Sequence, residues 1–182
     1  MIVDTRRERS PIPPLVIKGE RVEVVDTFKF LGKTIANKLK WEGNTFSIIS
    51  KCHQRLYFLR KLKKFGVSKL ALKRFYQAAI ESILSFSITS WYGAITVCEK
   101  AALNKIVYTS SKIIGSPLET LDNIYEKRTS KKIRTILANA DHPANKLFVP
   151  LPSGKRFQSI KAKTNRFRDS FYVKSTRESH PE

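Results

Sequence analysis

Thr45–Leu84 reads TFSIISKCHQRLYFLRKLKKFGVSKLALKRFYQAAIESIL. Phe46, Ile49, Cys52, Leu56, Leu59 and Leu62 recur at intervals of three and four. That spacing predicts one apolar helical face. Gly66 follows as a helix-ending glycine in the C′ position. Ser68 then predicts the cap of a second helix, from Lys69 to about Phe86. Its inward stripe is Leu72, Phe75, Tyr76, Ala79, Ile80, Ile83 and Leu84. The outer faces are basic. Between Gly43 and Ile80 there is no Asp or Glu, yet there are nine cations: Lys51, Arg55, Arg60, Lys61, Lys63, Lys64, Lys69, Lys73 and Arg74. Cations of one sign on two adjoining helices predict a coherent positive surface that neutralises phosphates and releases counterions. The alternative is an ordinary solvated helix face.

Upstream, the pattern is β-like. Leu15–Ile17 and Val22–Val25 flank Lys18, Gly19, Glu20 and Arg21, a hairpin signal in which Gly19 can supply a positive φ. Phe28, Lys29, Phe30, Leu31 and Gly32 give a third strand and a turn whose flanks read as half-buried. Thr34–Ala36 gives a fourth strand, and Trp41 closes the β region. Pro11–Pro14 reads as extended.

Downstream, Ser87–Ala94 (SITSWYGA) predicts a bend or a short extended piece. Thr96 with Glu99 forms a capping box for a third helix carrying Leu103, Ile106, Val107, Ile113 and Ile114, stopped by Gly115. Pro117 suits the first turn of a fourth helix, with Leu118, Leu121, Ile124 and Tyr125 inward. A weaker helix covers Ser130 to Ala138 through Ile133 and Ile136. Residues 146–182 show no stable helical stripe. The expected fold is mainly α with a small N-terminal β hairpin or sheet, a helical bundle and an irregular basic tail. The expected division is a flexible 1–10, a β element at 11–42, helices over 43–140, and a basic, partly irregular tail at 141–182.

Across 182 residues the formal charge is +20, with 35 Lys and Arg against 15 Asp and Glu. Such an excess points to a polyanion, most often nucleic acid. In the tail, Lys155, Arg156, Lys161, Lys163, Arg166, Arg168, Lys174 and Arg177 meet one acid, Asp169. Phe157, Phe167, Phe171 and Tyr172 are interleaved with them. Arg and Lys grip phosphate while exposed aromatics stack on unpaired bases; the alternative is that these rings pack back on the domain. No run of about 20 apolar residues exists, which excludes a spanning helix and makes a membrane an unexpected partner. MIVDTRRERS lacks a secretory apolar core, so an intracellular place, in nucleus or cytoplasm, is expected. Cys52 and Cys98 are far apart, and free thiols are expected.

Enzyme templates find little support. Asp4, Asp26, Asp122, Asp141 and Asp169 are mutually distant, and His53, His142 and His180 sit in no H-x-D or HExxH pattern. Ser153–Arg156 (SGKR) lacks the preceding glycine of a phosphate loop, and no GxSxG supports a serine nucleophile. No catalytic residue, metal or cofactor is expected.

Residues 1–7 (MIVDTRR), 11–41 (PIPPLVIKGERVEVVDTFKFLGKTIANKLKW), 53–93 (HQRLYFLRKLKKFGVSKLALKRFYQAAIESILSFSITSWYG), 110–136 (SSKIIGSPLETLDNIYEKRTSKKIRTI) and 142–172 (HPANKLFVPLPSGKRFQSIKAKTNRFRDSFY) together resemble the region after the catalytic palm of a LINE-type (non-LTR) retrotransposon reverse transcriptase. The resemblance covers most of the chain, and its strongest block is FKFLG. It implies that Phe30, Leu31 and Gly32 shape a primer-grip-like hairpin. It implies a thumb whose Lys51, Arg55, Lys63, Lys64, Lys73 and Arg74 face phosphates. The family's A/YxDD strand is not in this sequence, so polymerisation by this chain alone is not expected; the expectation is a non-catalytic nucleic-acid-binding fragment, and an alternative to it is an inert relic of such an element. RNA, DNA or an RNA–DNA hybrid are the implied partners, and surface left by the missing palm implies self-association. The same segment is also similar to the N-terminal domain of AlkB homologue 8, a label that implies dioxygenase and methyltransferase activity. The iron-ligand pattern and glycine-rich S-adenosylmethionine turn those activities need are not here.

Overall fold

The computed structural model describes residues 13, 15–36 and 39–178. The stretch 1–10, expected to be flexible, and most of the Pro11–Pro14 segment lie outside them. The fold is mainly α, with two small antiparallel strand pairs at the N-terminal end.

Strands β1 (Val16–Ile17) and β2 (Glu20–Arg21) pair Val16 with Arg21 and Ile17 with Glu20. Their loop is the two residues Lys18 and Gly19, at φ +51° and +84°. Two successive positive φ values give a turn whose twist matches the strands it joins. The hairpin is shorter than its pattern predicts, because Val22–Val25 forms no ladder beyond the Val22 N–H bond to Leu15. Strands β3 (Thr27–Phe30) and β4 (Lys33–Ala36) run in register from Thr27–Ala36 to Phe30–Lys33. Their loop is Leu31 and Gly32, again both at positive φ. β3 is exposed at every position, against the expectation of half-burial. The reason is that the hairpin packs through β4, which lies against the first helix.

Helix α1 (Glu42–Lys64) starts three residues before Thr45. Phe46, expected inward, is 75% exposed. The inward stripe is instead Thr45, Ile48, Cys52, Leu56 and Leu59. Thr45 tolerates burial because its hydroxyl donates to the Trp41 carbonyl at 3.0 Å. The helix ends as Gly66 predicts. Gly66 N–H bonds Lys63 O, Val67 N–H bonds Leu62 O, and Gly66 takes φ +74°.

Ser68 caps α2 (Lys69–Tyr76), accepting from the Ala71 N–H. The expected second helix continues, but through a π-helical turn (Gln77–Glu81) into α3 (Ser82–Ser85). Ser87, at φ +51°, breaks the path. The stretch expected to bend is mostly helical: α4 (Ile88–Trp91) and a 3-10 turn (Tyr92–Ala94). Trp91 and Tyr92 are buried there, with Trp91 Nε1 donating to Phe86 O. Helix α5 (Val97–Ile114) has the predicted Thr96–Glu99 capping box and ends at Gly115, φ +73°.

Helix α6 (Leu121–Leu137) replaces the two helices expected around Pro117 and Ser130. Pro117 lies before it, and Thr120 is the cap, accepting from Asn123 N–H. Leu121, Ile124, Tyr125, Ile133 and Ile136 share one buried face, on which half-buried Thr129 interrupts the apolar pattern. Arg128 donates to the Ser85 carbonyl and ties α6 to the end of α3. The side chains of α1, α2, α5 and the first half of α6 close one core around Leu59, Leu72, Leu103 and Tyr76. Each such side chain contributes roughly 1.5–3 kcal/mol by leaving water.

The tail is more ordered than its pattern predicts. Ile133 and Ile136 pack with Ala144, Phe148 and Phe157 in a second cluster, and Pro150 bridges Phe157. Two short helices, α7 (Asn165–Arg168) and α8 (Phe171–Glu178), follow. Cys52 is a buried free thiol and Cys98 an exposed one.

Candidate nucleic-acid interface

Between the β3–β4 turn and α1 lies a groove of about 460 Å³. Leu31, Gly32 and Lys33 form its hairpin wall. Asn44, Ser47, Ile48, Lys51 and Arg55 come from α1, and Ser82, Ile83 and Phe86 close the third side. Two groups of expected site residues therefore meet here: Leu31 and Gly32 of the hairpin, and Lys51 and Arg55 of the helix. Phe30, the third residue of the hairpin set, is an exposed neighbour at the end of β3.

The hairpin wall is held by local geometry. Leu31 occupies the left-handed region at φ +46°, where a non-glycine residue costs roughly 1–2 kcal/mol. Gly32 fits at +79°, and a Cβ there would touch Phe86 at 3.9 Å. Arg55 Nη1 donates to the Lys51 carbonyl at 3.2 Å, which folds the guanidinium back along the helix beside Lys51.

Lys33 is the feature that sequence reasoning missed. It is only 8% exposed. Its ammonium lies 5.2 Å from the Phe86 ring centre and 5.0 Å from that of Trp91. Burial, and then the Lys51 cation, pull its pKa down to about 8. Asn44 is 2% exposed, and its Nδ2 finds no acceptor among the described residues. Among the described residues, no carboxylate lines the groove. The available signal was slight: Lys33 directly follows the Leu–Gly loop, and Asn44 is a polar residue in the first turn of α1.

The other expected cations do not join this groove. Arg60, Lys63 and Lys64 are exposed near the C-terminal end of α1, where cations complement the helix dipole. Lys73 and Arg74 are exposed in the last turn of α2. Lys73 acts electrostatically on Glu81, whose carboxyl is raised by burial and by Glu119. Lys155 and Arg156 sit on the exposed turn before Phe157, while Lys161 and Lys163 are exposed in irregular chain. Arg166 and Arg168 belong to α7, where Arg168 Nε is 3.5 Å from Asp169 Oδ1.

The tail aromatics divide. Phe157 is buried edge-on against Phe148, so for it the packed alternative holds. Phe167 and Tyr172 stay exposed, and Phe171 is half-buried under the Lys132 ammonium. On α1, Tyr57 and Phe58 form an exposed edge-to-face pair, with Lys61 Nζ 5.4 Å from the Tyr57 ring.

Among the described residues, no three His, Cys, Asp or Glu side chains gather in a way that could hold a metal ion. His53 is exposed on α1, and His142 Nδ1 accepts from the Ala144 N–H. No helix among the described residues is long and apolar enough to cross a membrane.

A family model described as alkylated DNA repair protein alkB homolog 8, N-terminal, matches residues 41–82. That segment runs from Trp41 through α1, the Gly66 turn and α2 to the start of α3. No curated protein and no solved structure matches the chain.

Proposed function

We propose that this chain binds nucleic acid through the phosphate backbone, without sequence preference and without polymerising, as a thumb-like element resembling the region after the palm of LINE-type reverse transcriptases. The observation that carries the reading is the groove that joins Leu31 and Gly32 to Lys51 and Arg55 with no carboxylate on its walls. The formal charge of +20 supplies the long-range attraction. The remaining cations of α1, α2 and the tail extend the contact as dispersed phosphate partners. RNA, DNA and hybrid all present the phosphates this surface takes.

A filter-binding titration of duplex and single-stranded oligonucleotides at several salt concentrations tests it. With about six phosphates contacted, log affinity falls against log salt with a slope of about −5. A flat response rejects the reading.

The family match on residues 41–82 favours a second reading, in which the label carries its oxidative chemistry. The residues do not fit a ferrous centre of that type. In the matched segment the histidine is His53 and the acids are Glu42 and Glu81, and no ligand cluster forms among the described residues. Turnover of 2-oxoglutarate by the iron-supplemented chain would favour this reading over the first.

A further inference from the structure

We propose that the groove between the β3–β4 turn and α1 is a built phosphate-binding subsite, with Lys33, Asn44, Lys51 and Arg55 as its donors. The proposal deepens the nucleic-acid reading: where the phosphate belongs to a strand, it rests on that reading.

Lys33 and Asn44 are the two inner donors, both more than nine-tenths buried. A buried ammonium is ordinarily paired with a carboxylate. Lys33 has instead two aromatic faces, and its charged neighbours in the groove are Lys51 and Arg55. A buried amide N–H without an acceptor costs roughly 1–3 kcal/mol. Asn44 Nδ2 is such a group, and Asn44 lines the same groove. Unsatisfied donors and like charges gathered at one place are completed by one kind of guest: an anion with several acceptor oxygens. A phosphoryl group meets that need better than a carboxylate, because it offers more oxygens and more charge. Arg55 adds a planar fork suited to it. The volume of about 460 Å³ lies within the usual range for small-ligand sites, so the phosphate can enter with the sugar it carries.

The protonation of Lys33 gives the subsite a signature. From α1 the charged groups near it are Lys51 and Arg55, with the Cys52 thiol, pushed up to about 11 by burial, under the influence of the same two cations. From the other side come Ser82, Ile83, Phe86 and Trp91, none of which carries charge. With the lysine pKa near 8, about half the molecules hold the proton at pH 8. A bound phosphate favours the charged amine, so binding takes up a fraction of a proton.

Calorimetry on the full chain at pH 8, in two buffers of different ionisation heat, tests this. The probes are inorganic phosphate and a twelve-nucleotide oligothymidylate. Wild type is expected to bind phosphate with net proton uptake. Lys33→Met loses the uptake and weakens phosphate binding at least tenfold. Arg55→Gln, a change on the helix surface that the fold tolerates, weakens it about tenfold and keeps the uptake. Lys105→Met, an exposed change on α5 outside the basic faces of α1, α2 and the tail, changes neither. Asn44→Asp, which puts a negative charge against the phosphate, abolishes binding. Circular dichroism checks that each variant folds, and Arg55→Gln carries the test if Lys33→Met does not. No phosphate binding by wild type, or equal binding by all variants, overturns the proposal. The two probes separate its failure from that of the broader reading. Oligothymidylate bound equally by wild type and all three groove variants leaves nucleic-acid binding standing without this subsite. Phosphate bound by wild type alone, with no oligonucleotide bound, leaves the subsite standing for free phosphate and removes the nucleic-acid reading.

Discussion

Lys33 is a cation folded into a nearly closed position beside a second cation, Lys51. Burial disfavours its charged form, which is why its pKa falls from 10.5 to about 8. The unfolded chain therefore binds this proton more tightly than the folded one. Stability on this account is lowest below pH 8 and rises as pH climbs from about 8 towards 10.5. The rings of Phe86 and Trp91 offset part of the penalty, by about 2 kcal/mol each for a cation this far from water. Lys33→Met keeps most of the length and removes the charge. The variant is expected to melt above wild type at pH 7, with the gap closing as pH approaches 10. Thermal melts of both proteins at pH 7, 8.5 and 10 check this, and a gap independent of pH would contradict it. Leu31, 76% exposed at φ +46°, is a second residue out of balance with its backbone. Asn is favoured at the first position of this loop type. Leu31→Asn is expected to stabilise the chain by about 1 kcal/mol, read from a denaturant midpoint at unchanged slope.

The elements most legible in the sequence were those whose signals are local. Gly66, Ser68, Thr96 with Glu99 and Gly115 act within one turn of their own helix, and each sits where its chemistry predicts. Gly19 and Gly32 likewise mark their own loops. Reading failed where the deciding partner is distant in the chain. Helix α6 looks like two helices because Thr129 interrupts the stripe, yet Ile133 and Ile136 bury against Phe148 and Phe157. Helix α4 forms in a stretch without a cap because Trp91 and Tyr92 fill the core. Half of the groove was legible as the basic run of α1 and the FKFLG turn. Lys33, Asn44 and Phe86 were not, since only tertiary packing brings them together. Gly93 shows how closely such distant parts meet: a Cβ there would lie 2.5 Å from the Asp169 backbone oxygen and 2.8 Å from Tyr125 Oη. A backbone atom cannot rotate aside, so the segment carrying α7 and α8 must shift. Gly93→Ala is expected to cost about 1–3 kcal/mol. It should also speed proteolysis of residues 160–178 before the core opens, which timed digestion with mass analysis would reveal. Digestion of both regions at one rate would show that the tail and core open together.

At the scale of the molecule, two opposed surfaces set its behaviour in solution. One is cationic, with a formal charge of +20 and a groove that no carboxylate lines among the described residues. The other is the exposed apolar side of the hairpins, where Leu15, Val16, Ile17, Val24, Phe28 and Phe30 face solvent. Charge of one sign keeps copies apart at low ionic strength, while exposed apolar surface draws them together. Salt shifts the balance because the screening length shrinks from about 30 Å at 0.01 M to about 10 Å at 0.1 M and 3 Å at 1 M. The two properties should therefore move in opposite directions along one salt axis. On the proposed reading, nucleic-acid affinity is expected to fall as counterion release loses its drive, and self-association to grow as repulsion is screened. Light scattering with size exclusion is expected to give a monomer at about 0.05 M salt and a rising dimer fraction at about 0.5 M. Phe28→Ser with Phe30→Ser should suppress that dimer without altering the salt slope of oligonucleotide binding, because neither ring lines the groove. If the dimer weakens with salt instead, the contact between copies is ionic and the hairpin face is not its seat.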